Sequence, residues 1–126
     1  MEENGRKFDQ DPLLKPKIGL VPLRAVWEIG KVMTFGAEKY DAHNWKGGIK
    51  YSRLIDAAMR HIIQFNEGED LDPEGNGGSG LHHLAHAGCC IMMLLEMTMD
   101  RPDLDDRYKG NRTLPWRTDI REEDNG

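Results

Sequence analysis

Apolar residues recur at three- and four-residue intervals along three stretches of this 126-residue chain. Leu23, Val26, Trp27, Ile29, Met33 and Ala37 form the first stretch and predict a helix from about Pro22 to Tyr40. Pro22 suits the first turn of such a helix. Leu54, Ile55, Ala58, Met59, Ile62, Ile63 and Phe65 predict a second helix, with Ser52 as candidate N-cap and an end near Gly68. The third stretch, Leu81 to Met99, carries Leu84, Ala87, Ile91, Met92, Met93, Leu94, Leu95 and Met97 on most of its circumference, and Pro102 follows its end. A helix that is apolar all round has to be buried. Two other helices cannot easily surround it, so the pattern predicts an all-α helical bundle completed by oligomerisation. Sustained apolar–polar alternation is absent, which argues against strands. The chain divides into an irregular N-terminal arm over 1–20, interrupted by Pro12 and Pro16, a helical core over 21–100, and a charged tail over 101–126 that adds a short helix or wraps a partner subunit. One domain is the natural reading at this length.

Composition narrows the class. Basic side chains number 17 against 22 acidic ones, a net charge of −5 with histidine neutral. That balance disfavours a direct nucleic-acid surface. No run reaches the ~18 apolar residues of a membrane span. The first seven residues lack the apolar segment of a secretory signal. Cys89 and Cys90, the only cysteines, are neighbours in an apolar run; they read as reduced, small hydrophobes of a cytoplasmic protein.

The chemistry-bearing residues gather near the predicted helix ends. A phosphate-binding P-loop, a Gly-x-Ser-x-Gly elbow, a His-Glu-x-x-His helix and a Cys-x-x-Cys pair are all missing. Glu38 and Asp41 share a face at the end of helix one, where acids oppose the helix dipole; a solvated helix end is the plain alternative. Residues 67–74 hold five carboxylates within eight positions: Glu67, Glu69, Asp70, Asp72 and Glu74. They read either as a solvated loop or as a site for a hard divalent ion such as Mg²⁺ or Mn²⁺. His82, His83 and His86 follow at the start of helix three, and His83 and His86, or His82 and His86, can face one way. A His-x-x-His-x-x-Cys site through Cys89 is an alternative without a convincing fourth ligand. Arg60, beside His61, either pairs with Asp56 or meets a phosphate. If helices one and two form a straight hairpin around 41–50, Glu67 lies ~16 residues beyond the turn, about 24 Å away. Glu38 then joins the other acids only if the helices cross obliquely or two chains share the site.

Taken in order, Lys7-Phe8-Asp9, Leu20-Val21-Pro22, Phe35-Gly36-Ala37-Glu38-Lys39-Tyr40, Asn44-Trp45, Arg60-His61, Gly68-Glu69, Asp72 and His83-Leu84-Ala85-His86 resemble a phage and bacterial family of dATP/dGTP diphosphohydrolases. That family is related to the MazG-like all-α NTP pyrophosphohydrolases. The resemblance covers about residues 6–97. It implies a MazG-like bundle and hydrolysis of a purine nucleoside triphosphate, dGTP foremost, to the monophosphate and pyrophosphate. It further implies a supply of dGMP for 2-aminoadenine nucleotide synthesis in a phage. MazG-like enzymes carry Glu-x-x-Glu and then Glu-x-x-Asp; here Asp41 stands in place of the second glutamate. The branch-specific Gly-Glu-x-x-Asp with His-x-x-His selects Glu69, Asp72, His83 and His86, with Glu67 and Asp70 as substitutes. By resemblance, Glu38, Glu69 and Asp72 are the catalytic acids holding two or more Mg²⁺ or Mn²⁺ ions. Lys7, Lys39 and Arg60 contact phosphates, Trp45 stacks on the base, and Asn44 or Asp9 reads its edge, with His61, His83 and His86 on the substrate side. Trp45 reads equally as a packed loop anchor. The expected assembly is a homodimer or homotetramer. The rival readings are a His-Asp type phosphohydrolase, although no His-Asp dipeptide occurs, and a non-catalytic helical interaction protein.

Overall fold

The structure is a computed structural model and describes residues 14–108. Three α-helices make up its frame: α1 (Leu23–Tyr40), α2 (Tyr51–Asn66) and α3 (His83–Asp100). Short 3-10 turns occupy Ile18–Leu20, Asn44–Gly47 and Pro102–Leu104. Among the described residues extended pairing is limited to two isolated bridges, Leu71 with His82 and Gly75 with Gly78. The expected all-α class is therefore the observed one.

Both α1 and α2 pack on α3 rather than mainly on each other. The straight hairpin of the first two helices is thus not the packing unit. The reason lies in the apolar faces. Val32 of α1 meets Ala85 and Cys89 on one flank of α3, with Ile29, Met33 and Leu81 around them. Tyr51 and Leu54 of α2 meet Met97 on the other flank, with Trp45, Ile49 and Leu104. Met93 touches both clusters and joins them. Gly88 allows the close crossing of α1: a Cβ there would stand 2.8 Å from the Ile29 Cδ1.

Helix ends differ from the expected ones in two places. Helix α2 starts at Tyr51 with Lys50 as its N-cap, not Ser52. Ser52 sits inside the first turn, and its N–H donates to Asp106 Oδ1 at 2.9 Å while its hydroxyl donates to Oδ2. A carboxylate from 54 residues along the chain thereby satisfies a donor that a local cap would otherwise take. Helix α3 starts at His83 rather than Leu81, because Leu81 and His82 are held extended. The N–H of Asp72 donates to Leu81 O at 2.8 Å, and the N–H of His83 donates to Asp70 O at 2.9 Å. His82 caps α3 through its ring, accepting from the N–H of Leu84 at 3.0 Å.

The residues after α3 return to α2 and hold the 41–50 connection. Arg101 pairs with Asp103 at 2.9 Å and reaches Gly47 O at 3.5 Å. The hydroxyl of buried Tyr51 donates within reach of two carbonyls at the end of α3, Met97 O at 3.1 Å and Arg101 O at 3.0 Å. The outward side of α3 remains uncovered, with Leu84, Ile91, Met92, Leu95 and Met99 exposed. No helix of the described residues is long and apolar enough to cross a membrane. Tyr51→Phe removes the shared cap of α3 and leaves buried carbonyls without that donor. It should lower the unfolding free energy by about 1–2 kcal/mol in urea titrations followed by circular dichroism.

Candidate metal centre and substrate cleft

The acidic loop does not stay a floppy connection; its glycines fold it back on itself. A Cβ at Gly78 would lie 1.8 Å from Pro73 O, so only glycine allows that backbone approach. The turn delivers Ser79 to Asp72. The Ser79 N–H donates to Asp72 Oδ2 at 2.9 Å, and the Ser79 hydroxyl lies 3.3 Å from the same oxygen and 2.6 Å from His86 Nε2. His86 Nε2 is itself 3.9 Å from Asp72 Oδ2.

Three elements then converge. From α2 comes His61, whose Nδ1 lies 2.8 Å from Nδ1 of His83 in the first turn of α3. His83 is completely buried, and its Nε2 lies 2.7 Å from Glu69 Oε1 in the loop. The His61 ring stacks on His86 at 4.5 Å with planes 10° apart. One atom from each of His61, Asp72 and His83 falls within 4.8 Å of the others, so these three residues could hold a metal ion. They mix imidazole nitrogen with carboxylate oxygen, a donor set that suits Mn²⁺ and later divalent ions better than Mg²⁺.

The electrostatics follow from burial and proximity. Desolvation, with like charge on His86 and His83, pushes the His61 imidazole down to about 4. Burial also lowers His86, against the pull of Asp72. Burial alone would raise the Asp72 carboxyl, but the Ser79 N–H, His86 and the Ser79 hydroxyl together hold it below the usual carboxylate range.

The sequence candidates divide cleanly by position. Glu69, Asp72, His61, His83 and His86 are brought together. Asp70 contributes only its backbone carbonyl, and Glu67 is the C-cap of α2. Their side chains form no hydrogen bond or ion pair among the described residues. Glu38 is exposed on α1 and makes no bond to the cluster, although its neighbour Lys39 reaches Gly77 O at 3.4 Å. The end of α1 therefore approaches the acidic loop, which a straight hairpin would not permit. Arg60 is exposed, and among the described residues no ion pair joins it to Asp56. His82 is occupied as the cap of α3. The His-x-x-His-x-x-Cys alternative is not assembled, since Cys89 Sγ packs 3.1 Å from Met33 Sδ. Lys7 and Asp9 lie outside the described residues.

A cleft of about 1000 Å³ opens beside the cluster, between the second half of α1, the 41–50 connection, the start of α2 and α3. Phe35, Tyr40 and Trp45 give it aromatic surface, and Lys39, Lys50 and Arg53 give it positive charge; Asn44 also lines it. His86 belongs to both the cleft wall and the cluster. Trp45 packs against the Tyr51–Leu54–Met97 cluster, with Lys46 Nζ 5.7 Å over its ring, so it is a loop anchor as well as a cleft residue. Sequence reasoning missed Ser79, Lys50 and Arg53. Ser79 had only its place at the end of the glycine run as a signal.

A family model for dATP/dGTP diphosphohydrolase, N-terminal, matches residues 2–107. The chain belongs to that family. A dATP/dGTP diphosphohydrolase of Salmonella phage PMBT28 is 38% identical over 103 residues, covering 82% of this chain and 33% of the relative. The chain thus spans about one third of the length of the curated relative it matches. No solved structure matches it. The match to the dATP/dGTP diphosphohydrolase N-terminal family takes in every element that builds the cluster and the cleft.

Two outcomes test this geometry. Gly78→Ala should displace the loop and separate Ser79 from Asp72, read as loss of the Ser79 amide's protection from hydrogen exchange with helix content retained. For metal-free protein, the unfolded chain takes up a proton at His61 near 6.5, but the folded chain takes it up only near 4. Stability from this group is therefore complete above about 6.5 and is lost as pH falls toward about 4. Melting temperatures of His61→Asn should show a shallower decline over that window than the unsubstituted chain.

Proposed function

We propose that this chain is a metal-dependent nucleoside triphosphate pyrophosphohydrolase, taking a purine deoxynucleoside triphosphate, dGTP foremost, to the monophosphate and pyrophosphate. One observation carries the reading: a cleft with aromatic and cationic walls shares His86 with a cluster of three histidines and two carboxylates. The relative named dATP/dGTP diphosphohydrolase agrees with it. Phe35, Tyr40 and Trp45 would enclose the base and sugar, while Lys39, Lys50 and Arg53 would meet phosphate oxygens. Asn44, in the cleft wall, would read the base edge. His61, Asp72 and His83 would hold a divalent ion, Mn²⁺ in preference to Mg²⁺, and such ions polarise phosphate oxygens and activate water when bound. Glu38, beside Lys39, is the α1 carboxylate available to further ions on the phosphates. His86, hydrogen-bonded to Ser79 at the cleft wall, would take a proton from an attacking water. The dGMP so formed would serve synthesis of 2-aminoadenine nucleotides in a phage-infected cytoplasm. The exposed apolar side of α3 fits burial against further copies in a homodimer or homotetramer.

A second reading is favoured by the histidines themselves. Two imidazoles and one carboxylate resemble the donor set of His-Asp phosphohydrolases more than an all-carboxylate site, and that class can release intact triphosphate. Chromatography of products from a panel of ribo- and deoxynucleoside triphosphates with Mn²⁺ or Mg²⁺ separates the two. Pyrophosphate with dGMP or dAMP is the expected result; triphosphate with a nucleoside would sink the proposal. Asp72→Asn should reduce turnover by more than about 100-fold, since even the loss of a group that only supports a ligand costs 10–100-fold.

A further inference from the structure

We propose that Glu69 is a positioning residue and not a metal ligand: it holds His83 so that Nδ1 of His83, Nδ1 of His61 and a carboxylate oxygen of Asp72 form a seat selective for Mn²⁺, Fe²⁺ or Co²⁺ over Mg²⁺. The inference rests on the metal-dependent reading above.

The argument begins with the two nitrogens of one ring. Glu69 Oε1 stands 2.7 Å from His83 Nε2. A carboxylate only accepts hydrogen bonds, so Nε2 carries the proton and Nδ1 keeps its lone pair. In the metal-free chain that lone pair accepts a hydrogen bond from Nδ1–H of His61 at 2.8 Å, and an ion seated between the two nitrogens would take that proton's place. Two ligands at right angles on an ion, each with a metal–nitrogen bond of the usual length, stand ~3.0 Å apart. The observed separation is close to that value. The two nitrogens of an imidazole diverge, so an oxygen bound at Nε2 is on the far side of the ring from an ion at Nδ1. Glu69 can therefore act on the ion only through the ring.

Burial says the same. The His83 side chain is 0% exposed, whereas that of Glu69 is 47% exposed. The glutamate thus lies on the solvent side of a ring that is itself wholly enclosed. Carboxylate–histidine–metal chains of this kind fix tautomer and ring orientation and raise ligand basicity. Asp72 is held in a parallel way. Its Oδ2 is engaged by Ser79, which fixes the carboxylate where one of its oxygens falls within 4.8 Å of a ligand atom of His61 and of His83. Two neutral nitrogen donors and one oxygen make a poor site for Mg²⁺, which prefers oxygen and keeps its waters.

The test uses the full chain, stripped of metal by chelator and titrated with Co²⁺ by visible absorption and with Mn²⁺ by calorimetry. The unsubstituted chain should bind Co²⁺, and a large excess of Mg²⁺ should fail to displace it. Glu69→Gln should weaken Co²⁺ and Mn²⁺ binding about 10–100-fold while leaving the Co²⁺ bands in place. Asp72→Asn and His83→Ala should move the bands. Shifted bands in Glu69→Gln would make Glu69 a ligand, and unchanged affinity would leave it without a role; either overturns the inference alone. Failure of the folded, unsubstituted chain to take up any of these ions overturns the metal reading and this inference together. Independently of any variant, ¹⁵N NMR of the metal-free chain should show His83 protonated at Nε2. Protonation at Nδ1 instead would overturn the assignment.

Discussion

The site depends on one buried imidazole. His83 is fully enclosed at the first turn of α3, yet both of its nitrogens have partners, Glu69 from the loop and His61 from α2. An enclosed imidazole with an unmet nitrogen would be costly, so these contacts fix where the loop and α2 stand relative to α3. The His83 N–H adds a third tie by donating to Asp70 O. Loop, α2 and α3 are thereby registered within one residue's reach. Everything chemical then follows at fixed offsets: His86 one turn on, Asp72 two residues after Asp70, and Ser79 where the glycine turn returns.

The rest of the fold serves that registration from a distance. Among the described helices α3 alone is packed on two sides, so its two flanks place α1 and α2, with Met93 shared between them. This arrangement leaves the 41–50 connection spanning between them, and the cleft lies beneath it. Asp106, Arg101 and Tyr51 tie the start of α2 and that connection to the end of α3. The cleft wall and the histidine–carboxylate cluster therefore belong to opposite ends of the same helix pair, held at separate places and joined by His86.

The three helices were legible because their apolar spacing is regular, and the acids and histidines were legible because they cluster in sequence. What sequence could not provide was the direction in which each helix packs. A hairpin is the default for two adjacent helices, but the Val32 face and the Tyr51–Leu54 face both found α3. Glu38 and the loop were consequently separated in the expectation, while Lys39 in fact reaches Gly77. Caps misled for a related reason. Ser52 has the chemistry of an N-cap, but Asp106, far along the chain, already meets its N–H. Ser79 stayed hidden because its role depends on a close approach at Gly78, and a run of glycines looks the same whether it folds tightly or not.

Charge closes the argument. A net charge of −5 is a poor basis for holding a polyphosphate, and the acidic loop makes it locally worse. Burial works against positive charge on His61 and His86. A divalent ion seated there reverses the local sign. Three of the protein's own cations, Lys39, Lys50 and Arg53, line the cleft together with Asp41, and Lys39 also reaches Gly77 O in the loop. Had they been interleaved with Glu69 and Asp72, they would have neutralised the ion's seat. On the proposed reading, the cations along the cleft would meet phosphate while the adjoining carboxylates of the cluster would meet a metal ion. That division is what a metal–nucleotide complex requires.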